Sequence, residues 1–197
     1  LLRYIETYLT DMNYQVLVTR EPGGSFLGEE IREMVLHHKN GEPIVPMAEL
    51  MLFLAARAQH IETLIKPALK EKKVVICDRF SDSTIAYQSF ARGLDKKVVK
   101  DLCFMAASGV EPSLTLFLDV APEIGIKRAV ERSSKVVAKN DRIEEESLDF
   151  HQKVREGFLS IAKEDPTRVK IIDTAKSKEV VQSQAKEIID QWLQQKY

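Results

Sequence analysis

The sequence predicts an α/β domain in which helices flank a doubly wound parallel sheet. Short apolar runs alternate along the chain with longer segments of helical periodicity, an order typical of parallel sheets. Residues 74–77, Val-Val-Ile-Cys, are the clearest such run, and their β-branched, uninterrupted apolar character predicts a strand buried on both faces. With 197 residues and 44% hydrophobic content, the chain is long enough for one domain, residues 1–197, with a substantial core.

Composition argues against several classes of protein. The 29 basic and 30 acidic residues nearly balance, so overall charge does not indicate binding to nucleic acid or to an anionic membrane. Two cysteines, Cys77 and Cys103, predict buried thiols in a reducing cytosol rather than a disulfide framework. No apolar run reaches membrane-spanning length, and the N-terminus lacks a signal-peptide pattern. We therefore expect a cytoplasmic protein without a membrane or nucleic-acid partner.

The first half of the chain predicts two strands and three helices. Residues 1–9 have the apolar spacing of the last part of an amphipathic helix, and residues 15–19 follow as a strand after a turn. Residues 28–36 and 47–71 carry apolar stripes at helical spacing. The strand at residues 74–77 completes this half.

The second half continues the alternation. Predicted helices cover residues 95–109, 122–132 and 144–163, predicted strands cover residues 114–120 and 169–172, and Ser177 caps a C-terminal helix. Residues 133–141 break the pattern and place two lysines between Arg132 and Arg142. Such a segment is either a solvated loop or a basic lid that closes over a ligand.

Chemically active residues follow the strand at residues 74–77 directly. Asp78 and Arg79 come at its carboxyl end, where open α/β sheets bind their ligands, and an acid and a base there suit a metal ion and a phosphate. Four polar side chains then recur at helical spacing: Ser83, Thr84, Tyr87 and Gln88. For an isolated Asp-Arg pair, a capping residue and a surface charge would be the simpler explanation.

The longer string DRFSDSTIAYQ, residues 78–88, closely resembles the signature of thymidylate kinases. TREPGG at residues 19–24, LFLAAR at 52–57 and NDRIEEES at 140–147 resemble further segments of that family, in the same order. The resemblance implies a bacterial-type thymidylate kinase with a P-loop NTPase-like, three-layer α/β/α fold around a parallel sheet of about five strands. It also implies transfer of the γ-phosphate of ATP to dTMP, giving dTDP and ADP for dTTP biosynthesis, with Mg²⁺.

The start of the chain departs from the family pattern. Family members carry a strand and a phosphate loop of the type GxxxxGK[ST] before the first helix, whereas this sequence begins within that helix. Because the strand lies mid-sheet in the family, its loss would deprive two neighbours of ladder partners. We expect the native protein to carry a further N-terminal segment of roughly one strand and an eight-residue loop.

The resemblance implies a set of dTMP-binding residues. Phe53 would stack on thymine and Arg57 would reach its O4, while Thr84 and Gln88 would contact the remaining polar edge of the base. Tyr87 would lie near the sugar C2′, where a ribose hydroxyl would clash.

A second set is implied around the sugar and the acceptor phosphate. Glu21 would face the deoxyribose and phosphate region, and Arg32 would turn towards the phosphate. Arg79 would bind that phosphate, and Ser83 would support the segment. Asp78 would bind Mg²⁺ directly or through water.

The resemblance also implies a lid at about residues 132–142. Arg132 matches the lid arginine that acts on the transferring phosphoryl group, and Arg142 would help at the donor side. Residues 133–140 make this lid longer than the shorter bacterial lids. The implied catalytic residues are Arg132, Arg79 and Asp78, and the family is typically a homodimer.

Two other functions fit part of the sequence. A deoxynucleoside kinase would share the architecture and the Asp-Arg element, but its neutral acceptor hydroxyl would normally need a carboxylate base, and the paired arginines favour a phosphorylated acceptor. A catalytically inactive nucleotide-binding paralogue or fragment would explain the lack of a phosphate loop, although the full set of acceptor-site residues argues against it.

Overall fold

The computed structural model describes residues 1–38, 41–133 and 142–196 of the chain. Its strands are β1 (Val16–Arg20), β2 (Val74–Asp78), β3 (Thr115–Asp119) and β4 (Val169–Asp173). Its helices are α1 (Leu2–Asp11), α2 (Phe26–Leu36), α3 (Pro46–His60), α4 (Lys66–Lys70), α5 (Ser81–Thr84), α6 (Lys96–Ala106), α7 (Pro122–Ser133), α8 (Leu148–Glu164) and α9 (Lys178–Lys196). No helix within these ranges combines the length and the apolarity needed to cross a bilayer.

The strands form two parallel pairs. β1 pairs with β2 from Val16↔Val74 to Arg20↔Asp78, and β3 pairs with β4 in the same way. Within the described ranges no ladder joins β2 or β1 to the other pair. The prediction that residues 74–77 are buried on both faces is wrong, since each is only partly buried. With a ladder partner on one side only, the strand has fewer neighbours to cover its side chains.

Helices cover both faces of the strands and produce the predicted three layers. On one face, Ile5 of α1 and Ile189 of α9 pack with side chains of β1, β2 and β3 in a single apolar cluster. On the other face, Leu54 of α3 and Ile161 of α8 belong to a cluster that includes Val169 of β4. Apolar contacts with α1 and α9 thus connect the two strand pairs.

Two helices continue through π-helical segments. Ile61–Ile65 connects α3 to α4, and Ile85–Ala91 extends α5. Pro67 follows the first segment, and a proline ring within a regular helix clashes with the carbonyl four residues earlier. The wider π turn relieves that crowding. The predicted helix at residues 47–71 is therefore confirmed in extent, but not in regularity.

Capping residues fix where the helices begin. Ser25 and Asp95 accept hydrogen bonds from the backbone N–H groups of Gly28 and Val98, and Ser177 caps α9 as predicted. The helix predicted from residue 144 begins instead at Leu148, because Ser147 accepts from the N–H of Phe150 at 3.2 Å. Residues 142–145 form turns and residue 146 a bend, so their charged side chains do not follow helical spacing.

A largely buried ion pair joins α5 to the second pair of strands. Arg168, just before β4, donates to both carboxylate oxygens of Asp82 at 2.7 and 2.9 Å. Thr115, at the start of β3, donates to Asp82 at 2.9 Å. These bonds hold the segment that follows β2 against the neighbouring strand pair.

We expect the Asp82→Asn variant to lose about 2–3 kcal/mol of unfolding free energy, because a neutral amide replaces the buried carboxylate and leaves the Arg168 guanidinium with only the more exposed Asp165 as a counter-charge. Thermal denaturation should show the melting temperature fall by roughly 5–10 °C. The matched control is Asp101→Asn, since Asp101 pairs with Lys97 on the surface. That variant should shift the melting temperature by less than about 2 °C, and equal shifts in the two variants would contradict the prediction.

Candidate active site

The candidate site lies at the carboxyl ends of β1 and β2. Arg20 and Asp78 are the last ladder pair, and the N–H of Glu21 then donates to the carbonyl of Asp78 at 2.9 Å. The loop at residues 19–24 and the segment at residues 78–88 therefore leave the same edge of the strands. Ligands of open parallel sheets bind at this edge.

A buried polar network connects this loop to α3. Glu21, 5% exposed, accepts from Arg57 Nε at 2.8 Å and contacts His60 Nδ1 at 3.0 Å. Because a carboxylate only accepts hydrogen bonds, His60 donates from Nδ1, and its Nε2 lies 2.8 Å from the Thr19 hydroxyl. The sequence analysis missed His60, although its position three residues after Arg57 on one helix was an available signal.

Arg57 joins three parts of the chain through its guanidinium. The residue is 2% exposed, Nη2 donates to Thr84 at 2.9 Å, and Nη1 donates to Cys103 Sγ at 3.3 Å. Phe80 lies beneath the guanidinium with its ring centre 4.9 Å away. A guanidinium has five N–H groups and these contacts, with Glu21, use three. Arg57 is thus a buried connector that retains donors for a ligand.

The loop at residues 19–24 packs tightly on this network. Gly24 has φ +72°, and a Cβ on it would lie 2.4 Å from His60 Nε2. The N–H of Gly24 donates to Glu29, which also pairs with Arg20 at 2.9 Å. Burial alone would raise the pKa of Glu29, but the hydrogen bonds from Arg20 and Gly24 outweigh it and lower the pKa. Arg32 donates to the Pro22 carbonyl at 3.0 Å, so it lies at the same loop.

Aromatic side chains and Arg79 form the outer part of the site. Phe53 and Tyr87 are both partly buried and pack against one apolar cluster. Arg79 is exposed, has φ +67°, and places its guanidinium 5.1 Å from the centre of the Tyr87 ring. Tyr87 also meets Phe150 edge to face, with ring centres 6.0 Å apart. The predicted phosphate and sugar residues therefore lie side by side.

The four polar residues predicted on one side of a helix have different environments. Thr84 and Gln88 are buried, whereas Ser83 and Tyr87 are partly exposed. The division follows i, i+4 spacing, because Thr84 and Gln88 share the face that points into the protein while Ser83 and Tyr87 share the neighbouring face.

Gln88 reaches a second buried carboxylate that the sequence analysis did not identify. Its Nε2 donates to Glu49 Oε1 at 2.9 Å. Arg92 and Arg142 also donate to Glu49, and Arg142 Nε donates to the Val35 carbonyl at 3.1 Å. Arg142, predicted at the donor side, is thereby held at Glu49, on the side of α3 that contacts Gln88.

Part of the predicted lid lies outside the described residues. Arg132 belongs to the last turn of α7, but its side chain is not described, and neither are residues 134–141. The prediction of a lid arginine at this position therefore stays a prediction.

One group of described residues has metal-ligand spacing. Donor atoms of Glu21, His60 and Cys77 lie within 4.8 Å of one another. Both Glu21 oxygens already bind Arg57 and His60, and burial raises the pKa of the Cys77 thiol, which donates to the Arg79 carbonyl. Nitrogen and sulfur donors also do not suit Mg²⁺. This group is a hydrogen-bonded network rather than a magnesium site.

Comparison with known proteins decides the family. The sequence pattern of the family described as "Thymidylate kinase" matches residues 1–185. The chain belongs to the thymidylate kinase family. Thymidylate kinases of Protochlamydia amoebophila (strain UWE25) and Desulfovibrio desulfuricans (strain ATCC 27774) are 47% and 44% identical to it over 195 residues. These alignments cover 98% of this chain and 87% and 89% of the two relatives.

A solved structure agrees with this family and its fold. The crystal structure of thymidylate kinase from Ehrlichia chaffeensis superposes with a TM-score of 0.73 at 31% sequence identity, covering 95% of this chain and 88% of that one. The predicted P-loop NTPase-like α/β/α fold and the family resemblance are confirmed.

We expect Gly24→Ala to destabilise the protein by about 3 kcal/mol, combining left-handed backbone strain with the clash against His60. Moving His60 displaces Glu21 and then Arg57, so calorimetry should also show dTMP affinity reduced at least roughly 10-fold. Gly93→Ala is the matched control, because Gly93 has φ +80° but nothing within 4 Å of its Cβ position. The control should lose only about 1 kcal/mol and keep its dTMP affinity, so a similar loss in both variants would exclude the clash.

Proposed function

We propose that the chain binds dTMP at the carboxyl ends of β1 and β2 and phosphorylates it there. Membership of the family gives the reaction, which is ATP-dependent phosphorylation of dTMP, a phosphotransferase step of nucleotide biosynthesis. The observation that supports the location is the buried Arg57, because its bonds to Glu21 and Thr84 join three of the motifs at one edge.

The base is proposed to lie between Phe53 and the buried polar residues. Phe53 is partly buried at this face and offers a ring for stacking on thymine. Arg57 has N–H groups left for O4, and Thr84 and Gln88 lie on the neighbouring helix. Tyr87 would close the sugar side of this pocket.

The acceptor phosphate is proposed to bind Arg79 with help from Arg32. Arg79 is exposed at the strand edge, and its guanidinium lies over the ring of Tyr87. Arg32 reaches the loop at Pro22 from α2. Glu21 acts from behind this surface, by holding Arg57 and His60, and Ser83 supports the turn after β2.

The chemical step needs positioning more than proton transfer, because the acceptor phosphate is already an anionic nucleophile. Arg79 would neutralise and orient it, and Arg132 at the end of α7 would bring charge to the transferring group. The contacts of Arg142 with Glu49 indicate an indirect contribution, through the end of the lid rather than by touching the donor.

Asp78 is proposed as the contact for Mg²⁺. Asp78 is the last residue of β2, beside Arg79, and its exposed carboxylate would supply one oxygen ligand. One carboxylate suits Mg²⁺, which usually keeps several waters and takes its other ligands from phosphates. The ion would neutralise charge on the phosphoryl oxygens of ATP.

The quaternary state and compartment are further proposals. We propose a homodimer, because α3 exposes Met47 and Met51 while α6, which packs on it, exposes Val98 and Met105. Both cysteines are free thiols, which fits a reducing compartment such as the cytoplasm. We also propose that residues 1–197 form one domain, with the lid at about 132–142. The relatives named above are all thymidylate kinases, so they give no support to a deoxynucleoside kinase or an inactive paralogue.

We expect Arg79→Ala to weaken dTMP binding by roughly 30- to 150-fold, because a charge-assisted hydrogen bond to phosphate is worth about 2–3 kcal/mol. Thymidine, which lacks the phosphate, should lose less than about 3-fold, and calorimetric titration of both ligands measures the difference. Arg128→Ala is the control, since Arg128 binds the Thr174 carbonyl beyond β4. Equal losses for dTMP and thymidine would remove Arg79 from the phosphate role.

A further inference from the structure

Glu49 is a buried carboxylate to which the reaction assigns no task. It is 1% exposed on α3, and its Oε1 accepts from Gln88 Nε2 at 2.9 Å and from Arg92 Nε at 3.1 Å. Its Oε2 accepts from Arg92 Nη2 at 3.3 Å and from Arg142 Nη2. Removing a carboxylate from water costs several kcal/mol, so its retention beside a ligand-facing residue suggests a function.

The surrounding donors keep Glu49 ionised and fixed. Burial alone would raise its pKa, but hydrogen bonds from Arg92, Arg142 and Gln88 outweigh burial and lower the pKa. Arg92 is itself held by Glu146 at 2.6 Å, and its guanidinium lies 4.5 Å from the centre of the Phe150 ring. The carboxylate therefore presents acceptors in one orientation at neutral pH.

An ionised Glu49 determines which way the Gln88 amide faces. A carboxylate has no proton to donate, so only the NH₂ end of Gln88 can bind it. Because the NH₂ group faces Glu49, the amide oxygen Oε1 of Gln88 must point away from Glu49. Among the described residues, no donor contacts this oxygen.

We propose that Glu49 is a positioning residue for base recognition, which holds the Gln88 amide so that its oxygen, and not its NH₂, meets the base. This inference rests on the proposed role of Gln88 at the polar edge of thymine. Thymine presents an N3–H donor beside the O4 acceptor, whereas cytosine presents an N3 acceptor beside an amino donor. An oxygen from Gln88 and an N–H from Arg57 match thymine at both positions and oppose cytosine at both.

Replacing Glu49 with glutamine should turn this amide round. A glutamine at position 49 has one oxygen and one NH₂ group, and two guanidinium nitrogens lie on the Oε2 side against one on the Oε1 side. The new oxygen therefore faces Arg92 Nη2 and Arg142, and the new NH₂ faces Gln88. Gln88 must then accept with its own oxygen and present NH₂ to the base.

The experiment measures the affinity of the Glu49→Gln variant for dTMP, dUMP and dCMP by calorimetry, with competition titration for the weakest ligand. We expect dTMP and dUMP to lose affinity together by about 10- to 100-fold, because both carry the N3–H donor and O4 acceptor. The affinity for dCMP should stay the same or rise. The dTMP/dCMP ratio should thus fall at least about 10-fold while the dTMP/dUMP ratio is unchanged.

A general loss of structure would lower all three affinities in proportion and would overturn the inference. Asp82→Asn is the matched control, since it also neutralises a buried carboxylate that binds an arginine. The partner of Asp82 is Arg168, and Asp82 does not bind Gln88. This control should keep the dTMP/dCMP ratio. Glu49→Asp retains the charge and should also keep the ratio within a few-fold, and a collapsed ratio in that variant would contradict the inference even if Glu49→Gln fails to fold.

A further variant separates this inference from the proposed function. Gln88→Met removes the amide at similar volume and should lower the dTMP/dCMP ratio, though by less than Glu49→Gln, which reverses the amide rather than removing it. If Gln88→Met leaves the ratio unchanged, Gln88 does not read the base, and its role in the proposed function fails. If Gln88→Met lowers the ratio and Glu49→Gln does not, only the positioning role of Glu49 fails.

Discussion

Arg57 lies almost wholly out of water, and a guanidinium in that position is stable only when an anion and hydrogen-bond acceptors surround it. Glu21 supplies the anion from the loop after β1, and Thr84 supplies an acceptor from the helix after β2. Because breaking either contact would leave a buried charge unsatisfied, the two loops are held at a fixed distance from α3. The shape of the candidate site follows from this constraint.

A second buried charge on α3, the carboxylate of Glu49, is neutralised by hydrogen bonds in a similar way. Glu49 sits on α3 as Arg57 does, but with opposite charge, and it gathers Gln88, Arg92 and Arg142 as Arg57 gathers its acceptors. The helix α3 thus carries a buried cation that binds Thr84 of α5 and a buried anion that binds Gln88 of the Ile85–Ala91 segment. Each is neutralised by residues far away in sequence, so folding of the whole domain is needed to assemble either one.

Local patterns explain what the sequence could predict. Apolar runs and stripes located the four strands of the described residues and most of their helices within a few residues. The position of the motif at residues 78–88 placed Asp78 and Arg79 at a strand edge. The same patterns could not reveal the partners of Glu49 or the Asp82 pair with Arg168, since these contacts span 39 to 93 residues and have no period. The π-helical path beyond Thr84 was also missed, because propensity describes regular helices and not the crowding that widens a turn.

The two networks suggest how the protein could distinguish thymine from cytosine without a conformational change. An amide that can turn freely offers its oxygen to thymine or its NH₂ group to cytosine with little preference. The free-energy cost of fixing its orientation is then subtracted from the binding energy of either ligand. Glu49 is paired with Arg92 and Arg142 in the folded protein, so it fixes the orientation of the amide before any ligand binds. In the proposed site the orientation of Gln88 is then preorganised, and cytosine would meet an opposed group at each of two positions. Specificity on this account comes from a carboxylate that does not touch the base, which is why a reading confined to ligand-facing residues would not find it.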